Sequence, residues 1–214
     1  MSTLTSCRMT AIIFATAGVF LAPHTTSAQT AAVKVDATTC VACHGMHGEG
    51  APAGVPRLAG QDAEYMSHAL SMFKAGTRAS AIMQPIARNL SDTDMRALAD
   101  YFSTQHAPLV DAAAAKSPQL VLAGKQLAVA GAANVAACFS CHAEQGKGNG
   151  ARFPAIAGQP ATFVVNRLHE FQARAKGQSP QPGTMTAVAA MLDESQIEAA
   201  AAYLSQLTLH RNSE

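Results

Sequence analysis

Residues 40–44 of this chain read Cys-Val-Ala-Cys-His, and residues 138–142 read Cys-Phe-Ser-Cys-His. Cys-x-x-Cys-His is the attachment signal of c-type haem. Two thiols about one helical turn apart can add to the two vinyl groups of one haem, and the adjacent histidine then faces the iron. Two copies of the motif therefore predict two covalently bound haem c groups. The four positions expected to form thioether bonds are Cys40, Cys43, Cys138 and Cys141.

Two other uses of paired cysteines compete with haem attachment. A zinc site would need both Cys-x-x-Cys pairs and their histidines to converge on one ion. A thioredoxin-like redox pair belongs beside a β-α-β pattern, and the sequence shows no convincing alternation of apolar and polar residues that would predict strands. We therefore favour haem at both motifs.

Length and composition limit the fold and exclude some functions. The chain has 214 residues, which fits one large domain or two small ones. Charged residues make up 14% and the formal net charge is +1, which argues against electrostatic binding of nucleic acid. Aromatic residues are only 5% and there is no Trp, so two small domains would be short of bulky core side chains. Small domains in that position usually need a cofactor, a metal or a disulfide.

The first residues have the pattern of an export signal. Arg8 precedes an apolar run from Met9 to Ala22, and a stretch of small and polar residues follows up to Ala28. This pattern predicts a signal peptide at residues 1–28, cleaved near Ala28, and a periplasmic location. The alternative is an uncleaved anchor, but the run is short for a membrane span of about 20 residues. Cys7 lies before the apolar run, which excludes a lipoprotein signal.

The mature chain consists of two copies of one unit. When His44 is aligned with His142, many positions match without a gap, and the second copy then carries four extra residues around 177–183. We therefore predict an amino-terminal domain at 29–107, a linker at 108–117 and a carboxy-terminal domain at 118–214. The pairs that match best are Gly48 with Gly146, Pro56 with Pro154, Gln61 with Gln159, Met83 with Met185 and Tyr101 with Tyr203.

Helical periodicity and helix-start signals predict an all-α fold. In the first copy, helices are expected after Asp62 and after Ser91, where Asp94 completes a capping pattern. In the second copy, they are expected after Pro160 and after Asp193. A further helix is expected at about residues 118–130.

His44 and His142 would each supply one axial ligand to an iron. Met83 and Met185 are the candidates for the opposite axial position, because they occupy the same place in the repeat and are expected in loops outside any helical stripe. Met191 competes for the second haem, but its counterpart in the first copy is Asn89. We also expect the backbone carbonyls of Pro56 and Pro154 to accept hydrogen bonds from the axial histidines, which would orient the imidazole rings.

Several paired segments resemble the dihaem cytochrome c4 family over essentially all of the mature chain. They are the two haem motifs, residues 58–61 and 156–159, residues 75–78, Met83 with residues 90–92, and Met185 with residues 192–194. The resemblance implies two class I cytochrome c domains, with haem irons held by His44 and Met83 and by His142 and Met185. It also implies that the haems face each other across a pseudo-two-fold interface. The implied role is a periplasmic electron carrier between the respiratory chain and a haem–copper terminal oxidase.

The expected function is therefore electron transfer and not enzymatic catalysis. The expected partners are redox proteins, namely a membrane quinol-oxidising complex, a terminal oxidase or a dehydrogenase, with no nucleic acid and peripheral membrane association at most. One alternative is the haem subunit of a sulfide or alcohol dehydrogenase complex. Another is a dihaem enzyme such as a peroxidase or a thiosulfate-oxidising type, which would need an iron with an open or labile position.

Charges near the two motifs differ between the copies. The first copy has Glu49, Asp62 and Glu64 in its haem-side loops, whereas the second has Lys147 and Arg152. Negative charge stabilises Fe(III) and positive charge stabilises Fe(II). The sequence therefore predicts a lower reduction potential for the amino-terminal haem.

Overall fold

The computed structural model describes residues 36–110, 117–177 and 179–209. Over these ranges the secondary structure is helical, and the β-structure is limited to isolated bridges such as Ala51–Val55 and Asn149–Phe153. This confirms the predicted all-α class. The predicted signal peptide and residues 111–116 of the predicted linker lie outside the described residues. No helix within the described ranges is both long enough and apolar enough to cross a bilayer.

The α-helices follow one another in a repeating order. In chain order they are α1 (Thr38–His44), α2 (Ala63–Ala75), α3 (Met83–Arg88), α4 (Asp92–Ser103), α5 (Pro118–Ala130), α6 (Cys138–His142), α7 (Ala161–Gly177), α8 (Met185–Ala190) and α9 (Glu194–Leu204). In the first copy α2 packs against α3 and α4, and in the second copy α7 packs in the same way against α8 and α9. Helix α5 packs along α9.

Each copy has its own buried cluster. In the first copy it joins α2 to α4, and in the second it joins α5, α7, α8 and α9. The buried members of the first cluster are Met66, Leu98, Ala99 and Phe102. Those of the second include Leu127, Val164, Leu168, Ile197 and Leu204. Apolar residues at helical spacing, such as Leu98 and Phe102 on α4 and Ile197 and Leu204 on α9, therefore lie in these clusters.

Side-chain caps fix where α2, α4 and α9 begin, as the sequence predicts. The Asp62 side chain accepts a hydrogen bond from the backbone N–H of Tyr65 at the start of α2. Ser91 and Asp94 form a reciprocal capping box at the start of α4, and Asp193 and Gln196 do the same at α9. Each cap satisfies backbone donors that have no partner within the helix.

The four extra residues of the second copy lengthen a helix. Helix α2 has 13 residues and α7 has 17, so the insertion adds about one turn, ending at Gly177. The insertion therefore begins earlier than the sequence comparison places it. Beyond the insertion the two copies are in register again, since α3 begins at Met83 and α8 at its counterpart, Met185.

The prediction that Met83 and Met185 lie in loops is wrong in one respect, because each is the first residue of a short helix. Thr184 is the N-cap of α8, and its Oγ1 accepts from the Ala187 N–H at 3.3 Å. Such a cap stabilises a helix start that periodicity alone does not reveal. The N-cap of α3 is Ile82, which has no side-chain capping bond, although the Ser80 Oγ accepts from the Met83 N–H at 3.0 Å.

Candidate haem sites

The first site is built on α1, which carries Cys40, Cys43 and His44 on little more than one turn. His44 is buried, and its Nδ1 lies 2.9 Å from the carbonyl oxygen of Pro56. A carbonyl only accepts hydrogen bonds, so Nδ1 carries the proton. The Nε2 atom is then the ring nitrogen with a lone pair available to a metal.

The second site repeats this arrangement on α6. His142 is buried, and its Nδ1 donates to the carbonyl oxygen of Pro154 at 2.7 Å. Both bonds span twelve residues, which confirms the predicted role of the two proline carbonyls. A hydrogen bond of this kind fixes the tautomer and the orientation of a metal-binding imidazole.

The loops after both motifs are held by the same backbone bonds. The carbonyl of Gly48 accepts from the N–H groups of Leu58 and Ala59, both at 2.9 Å. In the second copy the carbonyl of Gly146 accepts from Ile156 and Ala157 at 2.8 and 3.1 Å. These bonds fix the segment that presents each proline carbonyl, so the two sites have one backbone design.

Burial keeps the two histidines in the form that binds iron. It lowers the pKa of His44 and of His142 below the ordinary value of 6.5, and the bonds to Pro56 and Pro154 oppose this effect. The neutral imidazole is the metal-binding form. The environment therefore favours ligation before any metal is considered.

The cysteines of both motifs are free thiols. Cys43 and Cys141 are exposed, whereas Cys40 and Cys138 are partly buried, which raises the pKa of these two thiols. Within the described ranges, no three His, Cys, Asp or Glu side chains are grouped as they would be around a metal ion, so nothing there supports the zinc alternative. Two free thiols beside one oriented imidazole form a donor set that fits haem c.

The methionines differ in burial. Met83 and Met185 are partly buried, and Met185 packs against the second buried cluster. Met191 lies just beyond the last residue of α8 and is 51% exposed. A side chain that faces solvent is poorly placed to reach a buried iron, so burial favours Met185 over Met191.

Sequence reasoning missed two glutamines that join the copies. Gln159 accepts a hydrogen bond from the Arg57 N–H and donates one to the Arg57 carbonyl, both at 3.0 Å. Gln61 makes the equivalent pair of bonds to the backbone of Ala155, both at 2.9 Å. Both glutamines are buried. The only signal in the sequence is that Ala-Gly-Gln occurs at the same place in each copy, and it does not reveal that each side chain reaches across.

Sequence reasoning also missed a buried cation beside the first site. Arg57 is only 6% exposed, and its guanidinium donates to the carbonyls of Ala59, Ala107 and Pro108. The equivalent position in the second copy is Ala155, so this charge has no counterpart there.

Comparison with known proteins agrees with this architecture. Residues 29–106 and 121–208 match the cytochrome c family. The chain is 37% identical over 174 residues to the thiosulfate dehydrogenase electron acceptor of Stutzerimonas stutzeri strain A1501, covering 80% of each chain. It is 36% identical over 189 residues to cytochrome c4 of Azotobacter vinelandii, covering 83% of this chain and 88% of that one. The solved structure of Acidithiobacillus ferrooxidans cytochrome c4 gives a TM-score of 0.69 at 33% identity, covering 79% of this chain and 99% of that one.

Two tandem all-α domains of this kind define an electron-transfer haem protein with two covalent haem c groups. The chain belongs to the cytochrome c family and, within it, to the dihaem cytochromes c4. The predicted cofactors and the resemblance in sequence are thereby confirmed.

Proposed function

We propose that each repeat holds its haem through four side chains of its own. Cys40 and Cys43 would form the thioether bonds of the first haem, with His44 and Met83 as axial ligands. Support comes from the free thiols and from the neutral, oriented imidazole. The bound haem supplies a one-electron Fe(III)/Fe(II) couple. The corresponding residues of the second haem are Cys138, Cys141, His142 and Met185.

A methionine at each sixth position makes a carrier the better proposal than an enzyme. A dihaem peroxidase or a similar enzyme would need an iron with an exchangeable position. Met83 and Met185 begin equivalent helices and are both partly buried. We propose that both irons are six-coordinate, so that the protein exchanges electrons with partner proteins and not with a small substrate.

The proposed domain boundaries keep the prediction from the sequence. A signal peptide would occupy residues 1–28, the first haem domain 29–107, the linker 108–117 and the second haem domain 118–214. The break between α4 and α5 and the two ranges that match the cytochrome c family support the division. The proposed location of the mature chain is the periplasm. A periplasmic fraction that contains a chain beginning at Gln29 would be the expected result of cell fractionation and amino-terminal sequencing.

The proposed direction of electron flow is from a dehydrogenase or a membrane quinol-oxidising complex toward a terminal oxidase. One relative is a thiosulfate dehydrogenase electron acceptor, which favours a dehydrogenase of the thiosulfate class as donor. The observation that carries the carrier role is that two Cys-x-x-Cys-His segments, each with its histidine oriented by a proline carbonyl, occur in one chain and are joined by buried hydrogen bonds. Electrons could then enter at one haem and leave from the other.

Stopped-flow reduction of the oxidised holoprotein tests the donor. We expect rapid reduction by thiosulfate dehydrogenase with thiosulfate and no reduction by thiosulfate alone. Membranes that contain a haem–copper oxidase should then reoxidise the protein. If only quinol-oxidising membranes reduce it, the dehydrogenase assignment is wrong and the respiratory-carrier assignment stands. Mitochondrial cytochrome c, a non-cognate acceptor, is the control. If neither donor reduces this protein faster than it reduces mitochondrial cytochrome c, the carrier proposal fails.

A further inference from the structure

The peptide group between Pro56 and Arg57 makes hydrogen bonds at both of its ends. Its carbonyl oxygen accepts from the Nδ1–H of His44 at 2.9 Å. Its N–H donates to the Oε1 of Gln159, in the other repeat, at 3.0 Å. One peptide unit therefore connects the proposed axial histidine of the first haem to a side chain of the second domain.

The second repeat contains the mirror arrangement. The carbonyl of Pro154 accepts from His142 Nδ1–H at 2.7 Å, and the N–H of Ala155, in the same peptide group, donates to Gln61 Oε1 at 2.9 Å. The two sets of hydrogen bonds are reciprocal. The glutamine of each repeat bonds to the peptide group that orients the histidine of the other repeat. Arg57 and Ala155 differ in side chain but make the same backbone bonds, so the arrangement does not depend on the residue at that position.

We propose that Gln159 tunes the axial histidine of the first haem and Gln61 that of the second, so that each domain sets the donor strength of the other domain's ligand. The proposal rests on the proposed assignment of His44 and His142 as axial ligands. Both glutamines are positioning residues, since they act through a peptide group and not on the haem itself.

Hydrogen-bond cooperativity gives the direction of the effect. Hydrogen bonds in a chain polarise one another, so an amide whose N–H donates becomes a stronger acceptor at its carbonyl. Gln159 therefore strengthens the bond from His44 to Pro56. A stronger acceptor at Nδ1 raises the basicity of the coordinating nitrogen, and a more basic imidazole favours Fe(III). Each glutamine should thus lower the potential of the haem in the opposite repeat.

The glutamines and the histidines are shielded from solvent, which strengthens the polarisation of one hydrogen bond by the next. Gln61 and Gln159 are 4% and 5% exposed, and His44 and His142 are 8% and 6% exposed. Hydrogen bonds polarise one another more strongly where water does not screen them. Loss of a direct outer-shell partner costs about 10–100-fold in metal affinity or activity. The glutamines act one bond further out, so we expect each substitution to change the equilibrium constant for electron exchange between the two haems by less, about two- to fivefold.

A pair of matched substitutions tests the crossing. Gln159→Met and Gln61→Met keep the length of the side chain and remove its hydrogen bonds. In redox titrations of the holoprotein, with each haem followed by its own NMR signals, Gln159→Met should raise the potential of the first haem more than that of the second. Gln61→Met should do the reverse. If each variant mainly shifts the haem of its own repeat, or shifts both haems equally, the tuning proposal is wrong.

Two further measurements guard against misfolding and against a wrong ligand assignment. Gln159→Asn and Gln61→Asn keep the amide but shorten its reach, and they should shift the potentials in the same crossed directions if the Met variants do not fold. In the reduced wild type, the Nδ1–H signals of His44 and His142 should show the shifts of haem-bound imidazole. If these signals are absent, the ligand assignment fails. If they are present and the potentials do not move, only the tuning fails.

Discussion

The guanidinium of Arg57 donates a hydrogen bond of 2.8 Å to the carbonyl of Pro108, at the end of the segment that follows α4. Ala107 accepts a second bond from the same group at 2.6 Å. Burial lowers the pKa of Arg57 below its ordinary value, while Glu49 opposes this effect. An arginine stays protonated even when buried. The first repeat therefore contains a buried positive charge beside the peptide group that orients His44.

Arg57→Ala should lower the potential of the first haem. The substitution gives the first repeat the residue that the second already has at Ala155, and it removes a charge that favours Fe(II). If the amino-terminal haem has the lower potential, as Glu49 and the acidic residues at the start of α2 predict, the gap between the potentials of the two haems should widen. Redox titration of the holoprotein measures both waves. Arg96→Ala, which removes an exposed charge on α4, is the control and should have a much smaller effect because solvent and salt screen it.

Covalent attachment should follow the motifs one by one. Extraction of the wild type with acidified acetone should leave two haems on each chain. The double substitution of Cys40 and Cys43 to Ala should leave one haem, because the remaining thiols are Cys138 and Cys141. Haem content per chain, measured after denaturation, checks the result. Two haems retained by that variant would contradict the assignment of residues 40–44 as an attachment site.

The sequence predicts the local features of the fold well, because they depend on residues close to one another. The start of α4 at Ser91 and that of α9 at Asp193 follow from capping residues three positions apart. The bond from His44 to Pro56 follows from the repeat and from the chemistry of a ligating imidazole. Each of these features requires only one segment and its immediate neighbours.

Features that join the two repeats could not be predicted in the same way. The bonds of Gln159 to Arg57 connect residues 102 positions apart, and nothing in either segment identifies its partner. No local pattern marks Arg57 as buried, since its guanidinium donates to the carbonyls of Pro108 and Ala107, which lie 51 and 50 positions away in the sequence. The helical start at Met83 was missed because α3 has only six residues and its N-cap, Ile82, makes no side-chain capping bond that would mark it in the sequence.

Gly124→Ala should destabilise the protein. A Cβ at Gly124 would lie 2.0 Å from the backbone oxygen of Ala199, so α5 and α9 would have to separate. Overpacking of this kind costs about 1–3 kcal/mol. Gly177→Ala is the matched control, because a Cβ there meets nothing within 4 Å and alanine is the better helix former. Thermal unfolding of both holoproteins should show a lower Tm for Gly124→Ala only. Equal Tm values would contradict a close contact between α5 and α9 at Gly124.

Acid should weaken the start of α9 through Asp193. Hydrogen bonds from the Ser195 hydroxyl and the Gln196 N–H hold the pKa of this carboxylate below its ordinary value of 3.8. The folded state therefore binds fewer protons than the unfolded state in this range, so the stabilisation is present above that value and is lost as the pH falls through and below it. Asp193→Asn keeps an acceptor but does not titrate, and its Tm should fall less steeply than that of the wild type from about pH 5 downward. Glu198→Gln, on the exposed side of α9, should follow the wild-type curve.

Met185→His should lower the potential of the second haem and leave that of the first almost unchanged. Imidazole favours Fe(III) more than a thioether does, and the methionine ligand of a c-type cytochrome raises its potential. The substitution should also remove about half of the Fe(III)–methionine charge-transfer band of the oxidised protein, because two such bonds are proposed. Met191→Leu is the decisive control, since Met191 is 51% exposed and should change neither the band nor the potential. The opposite pattern, in which Met191→Leu removes the band and Met185→His does not, would transfer the ligand role to Met191. Met83→His should repeat the Met185 result at the first haem.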